Sequence, residues 1–136
     1  MLVMVVDGQG GGIGRALIEA LAPRLPADCE LYAFGTNAIA SGAMKKAGAH
    51  AAATGENAIC HYAPRADVIV GSIGIIAAHS IMGELSPAMA EAIAASRAVK
   101  VLVPMNQCNL RVAGLAEEAL PLRVSQAVDM VLRALD

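Results

Sequence analysis

Aromatic residues are almost missing from this chain: it has no tryptophan, two tyrosines and one phenylalanine in 136 residues. Such a chain lacks a platform on which successive bases could stack, and its net charge of −2 provides no basic stripe. Nucleic acid is therefore not an expected partner. Charged residues are scarce too, at 16%. So few on a small domain point to apolar surface covered by another subunit, and a homo-oligomer is expected. The cysteines, Cys29, Cys60 and Cys108, are odd in number and widely spaced, which argues against a disulfide framework. Cys60 and His61 are neighbours without metal-ligand spacing, so no metal site is expected. No apolar run reaches the roughly 18 residues that would span a bilayer. No charged stretch ahead of an apolar one follows Met1, so no signal peptide is expected. These absences lead us to expect a cytoplasmic protein with no membrane partner.

What is present is glycine in one place. Asp7-Gly8-Gln9-Gly10-Gly11-Gly12-Ile13-Gly14-Arg15 follows the apolar run Leu2 to Val6 and precedes apolar residues at Ile13, Leu17 and Leu21. That pattern predicts a strand, a glycine loop and a helix. The first amides of a helix have no partner of their own, and the helix dipole favours negative charge there. The sequence therefore predicts a nucleotide cofactor, NAD(P) or another, or a different phosphorylated small molecule. Gly8, Gln9, Gly10, Gly11, Gly12, Ile13 and Gly14 would receive its phosphate. The plainer alternative gives the glycines a tight turn and close helix–strand packing.

The remaining chain alternates apolar strands with helical stretches. Strands are expected at residues 30–34, 49–53, 67–71 and 99–103, and a short one at 110–113. Helices are expected at 12–22, from Asn37 to Ala47, over a short stretch ended by Pro64, at 72–82, from Ser86 to Ser96, and at 121–135. The fold class is α/β, a three-layer Rossmann-like arrangement of a five-stranded parallel sheet, as a single domain over residues 1–136. Strand order 3-2-1-4-5 is favoured over the flavodoxin-like 2-1-3-4-5.

Right-handed crossovers bring the loops after the strands to one edge of the sheet, where such folds bind ligands. Those loops carry Thr36, Asn37, Glu56, Asn57, Ser72, Asn106 and Asn109. Thr36, Asn37, Glu56 and Asn57 are candidates to contact a ribose or base. Ser72, Asn106 and Asn109 would line the reactive end. Dinucleotide folds place an acid about 20 residues beyond the glycines, on the ribose hydroxyl. Residues 34–37 contain none. Gly35-Thr36-Asn37-Ala38-Ile39 is echoed by Gly55-Glu56-Asn57-Ala58-Ile59, which suggests a helix start used twice: asparagine caps and isoleucine packs. Cys108 follows Asn106 and Gln107; a helix or backbone nest there would stabilise its thiolate, making a thiol enzyme the second reading. A third is a binding or assembly subunit with no small ligand.

Three resemblances can be drawn. Gly8, Gly12, Ile13 and Gly14 are spaced as in the glycine motif of short-chain dehydrogenases/reductases, and Asp67-Val68-Ile69-Val70-Gly71 resembles their fourth strand. Their catalytic tyrosine is followed four positions later by lysine. Here Tyr32 leads to Thr36 and Tyr62 to Ala66, so the activity is not implied. Residues Asp67 to Gly71, Met89 to Ile93 with Ser96, and Val99 to Val101 resemble a stretch of the 2-phospho-lactate transferase and gluconeogenesis-factor family. That resemblance implies a nucleotide-linked ligand at the sheet edge, with Gly71-Ser72-Ile73-Gly74 at a phosphate loop. Over nearly its full length the chain resembles a short, functionally uncharacterised bacterial family. This rests on the glycine loop, Gly55 to Ile59, Gly71 to Ile75, and Pro104 with Asn106 and Cys108. It implies a stand-alone domain and names no activity.

Overall fold

The structure, a computed structural model, describes residues 1–105 and 109–136. Strands and helices alternate: β1 (Leu2–Asp7), α1 (Gly12–Leu21), β2 (Glu30–Gly35), α2 (Ala38–Ala47), β3 (Ala51–Thr54), α3 (Glu56–Tyr62), β4 (Val68–Ser72), α4 (Pro87–Ala95), β5 (Val99–Val103) and α5 (Leu120–Ala134). All strand pairs are parallel, in the order β3-β2-β1-β4-β5. This is the favoured order, and it excludes the flavodoxin-like one.

Helices cover both faces. In β1, Val3 and Val5 point into one core with Leu17, Ile18, Met44, Val124 and Val128. Met4 and Val6 point into the other, with Phe34, Ile59, Ile75, Leu85 and Ile93. One face thus carries α1, α2 and α5, and the other α3 and α4. Burial on both faces explains why β1 is an unbroken apolar run. The crossover direction reverses after β3, which places the switch point between β1 and β4.

Three sequence expectations need correction. The helix expected at 72–82 is a single 3-10 turn, Ile73–Ile76, followed by turns from 77 to 85. The Ser80 hydroxyl donates to the Gly74 carbonyl, and Leu85 N–H returns to Ser80 O at 3.2 Å. Buried Leu85 anchors the segment in the core. These contacts override the helical propensity of Ile-Ile-Ala-Ala. Residues 110–113 form no strand, and residues 111–113 are exposed, with no sheet edge taking up their backbone. Finally, the two G-x-N-A-I copies differ. Asn37 caps α2, accepting from Ala40 N at 2.9 Å, whereas Asn57 lies inside α3 and Gly55 takes the cap position. Ile59 is fully buried but Ile39 is 75% exposed.

Candidate functional site

The glycine turn sits at the switch point, and its glycines serve different ends. A Cβ at Gly8 would lie 2.6 Å from Thr36 Oγ1, and one at Gly14 would lie 2.8 Å from Asp7 Cβ. Gly11 adopts φ 75°, which side chains disfavour. These three are needed for packing or turning. Gly10 and Gly12 are not. Neither has a positive φ, and a Cβ on either would meet nothing within 4 Å. Both are exposed. Among the described residues, no protein acceptor takes their N–H groups.

Gly11 donates its N–H to the Gly8 carbonyl at 2.9 Å, and the protein's own carboxylates bind the amides of Gly8, Gln9 and Gly14. Asp7 accepts from Gly8 N at 2.8 Å and Gly14 N at 2.7 Å. Burial pushes the Asp7 carboxyl above its ordinary range, and the Gly14 and Gly8 amides oppose that. Gln9, held at φ 47°, donates its N–H to Glu84 Oε1 at 3.0 Å. The same oxygen accepts from Thr36 Oγ1 at 2.6 Å and Asn37 Nδ2 at 2.7 Å. Those bonds, led by the one from Thr36, hold the Glu84 carboxyl below its ordinary range.

Glu84 was not among the sequence candidates. It follows β4, yet it reaches the end of β2, where dinucleotide folds place their ribose-binding acid. No local motif announces this, because 48 positions separate it from Thr36. Its carrier is the strap of turns 77–85, which crosses the glycine turn; a Cβ at Gly8 would also meet Ile81 Cγ2 at 2.8 Å. Within the strap His79, Ile81 and Met82 have φ of 67°, 56° and 54°. Each costs about 1–2 kcal/mol, and a β-branched residue is a true outlier there.

The other candidates are dispersed along the same edge. Glu56 Oε2 accepts from Ser86 Oγ at 2.5 Å, so it ties α3 to the start of α4. Asn57 is exposed at the start of α3. Ser72 is buried at the end of β4. Asn109 is exposed in the loop after β5, at φ 55°. Asn106 and Cys108 lie outside the described residues, and with them the thiol reading. His79 is exposed. Among the described residues no group of acidic, histidine and cysteine side chains has metal-site geometry, and no helix is long and apolar enough to cross a membrane.

Substituting Glu84→Gln is expected to lower the melting temperature by about 4 °C at neutral pH. This takes the charge-assisted part of the contact as roughly 1 kcal/mol after solvent screening. A depressed acid pKa contributes stability above its unfolded value and loses it as pH falls through the folded one. The wild-type and variant curves should therefore converge as pH drops below about 4.5. Calorimetry from pH 3 to 8 checks this; parallel curves would remove the charge contribution.

A doubly wound parallel sheet with a glycine turn at its switch point defines a Rossmann-like protein. The chain belongs to the family described as "Domain of unknown function (DUF3842)", whose model matches residues 2–136. Among solved structures it is similar to a dodecameric FMN-dependent UbiX-like decarboxylase from Escherichia coli O157:H7. That match has 19% identity and a TM-score of 0.46, and covers 95% of this chain and 74% of the other. No curated protein matches.

Proposed function

We propose that the protein binds a nucleotide, NAD(P) or a related phosphorylated ligand, at the β1/β4 switch point. The observation carrying this reading is that Gly10 and Gly12 are required neither by packing nor by backbone conformation. Their bare surface and unpartnered amides suit an approaching phosphate oxygen. Glu84 suits a ligand hydroxyl, since its carboxylate can accept hydrogen bonds. Asp7 and Glu84 together disfavour a bare polyphosphate beside the turn. A phosphate ester that also offers hydroxyls fits both halves of the site. Thr36 and Asn37, now held by Glu84, would face the same ligand.

The test is a thermal-shift panel of FMN, FAD, NAD, NADP, UDP-glucose and GDP. A ligand at 100 times its Kd stabilises by about 2.7 kcal/mol, which is roughly 10 °C for a chain of this size. At least one nucleotide should raise the melting temperature in a concentration-dependent way. No response to any of them, in wild type and in a Glu84→Ala variant with the strap contact removed, would overturn the proposal.

A further inference from the structure

The three aromatic residues of this chain gather in one place. Tyr32 and Phe34 come from β2 and Tyr62 from the end of α3. Their rings pack with centroid separations of 5.8 Å for Tyr32–Tyr62 and 5.1 Å for Phe34–Tyr62. Together with Ala51, Ala52 and Ala53 of β3 they line a half-open hollow of about 150 Å³.

The alanines make the room. Three in succession are a poor choice for a strand, because a strand is stabilised by large side chains packing across its face. β3 lies at the sheet edge beside β2, with Ala53 packed against the core of the α3 and α4 face. A leucine or valine there would extend that core and fill the hollow. Neither tyrosine hydroxyl has a hydrogen-bond partner among the described residues, and neither is a buried orphan. The lining residues are thus three aromatics and three alanines, none of them charged.

We propose that this hollow is a second binding site, for a small uncharged planar ring such as a monocyclic phenol. The ring packs edge-to-face against the tyrosines, as aromatic pairs prefer. Its hydroxyl bonds to Tyr32 or Tyr62. The absence of a lining cation selects against a carboxylate on the ring. The site shares no residue with the glycine turn or the strap, so it stands independently of the nucleotide reading.

Titration of the intact protein with 4-fluorophenol, followed by fluorine NMR, tests it. The expected result is a saturable shift with a Kd of about 1 mM or below. Ring cross-peaks of Tyr32 and Tyr62, the only two tyrosines, should move with the same affinity. Ala53→Leu should weaken binding at least 10-fold with an unchanged circular dichroism spectrum. Should that variant misfold, Ala51→Leu serves instead. 4-Fluorobenzoate should bind at least 10-fold more weakly than the phenol. A non-saturating response overturns the proposal, as does a filled variant that binds like wild type. So does unmoved tyrosine resonance, including the case in which a second copy of the chain already occupies the hollow.

Discussion

Gly12→Ala is expected to leave the protein folded while reducing nucleotide affinity about 100-fold. The added methyl meets no protein atom within 4 Å, and Gly12 opens α1 with ordinary backbone angles. Alanine in a compatible helical position stabilises by about 0.4–1 kcal/mol, because the unfolded chain loses freedom. Under the proposed function, the same methyl would crowd a phosphate oxygen approaching the Gly10 and Gly12 amides. Losing hydrogen bonds to a charged group costs about 1.5–3 kcal/mol, which sets the hundredfold scale. Gly14→Ala is the contrast. Its Cβ would press on Asp7 Cβ at 2.8 Å and on the Met44 sulfur, so stability should fall by about 1–3 kcal/mol. Isothermal calorimetry with the strongest nucleotide of the panel, beside urea unfolding, separates the two effects. Wild-type affinity in Gly12→Ala would show that the turn does not hold the phosphate.

Gly71→Ala should have the largest effect on stability. Gly71 lies in β4, beside β1, at the centre of the sheet. A Cβ there would sit 2.5 Å from the Val6 carbonyl oxygen and 3.1 Å from Ile75. The first obstacle is backbone in a strand buried on both faces, so it cannot swing aside. We expect a loss of about 3 kcal/mol, lowering the melting temperature by roughly 12 °C. Thermal unfolding followed by circular dichroism reads this directly. A loss under about 1 kcal/mol would mean that β1 and β4 separate more readily than their packing implies.

Much of the architecture was legible in the residues. Apolar runs, proline stops and the Asn37 and Ser86 caps marked most elements, and their alternation identified the parallel sheet. Right-handed crossovers placed the loops after the strands at one edge, and the favoured strand order is the observed one. The segment after β4 was misread because its apolar residues carry helical propensity. Its actual path depends on Leu85 entering the core and on Ser80 reaching Gly74. The candidate site was legible as a glycine turn but not as a division of labour within it. Which glycines are structural follows from how near Thr36, Asp7 and Ala40 come in three dimensions. Glu84 was hidden for the same reason: its partners are distant in the chain, and its carrier adopts angles that non-glycine residues rarely take.

The strand order also governs when the protein can become whole during synthesis. β1 occupies the middle of the sheet but precedes both of its neighbours in the chain. Its β2 side can be completed once residue 35 is available, whereas its β4 side must await residues 68–70. At roughly 5–20 residues per second, the ribosome takes several seconds to supply the difference. Until then the edge of Val3 to Val5 that pairs with β4 has no strand beside it, and an unpaired apolar edge is a template for pairing with another chain.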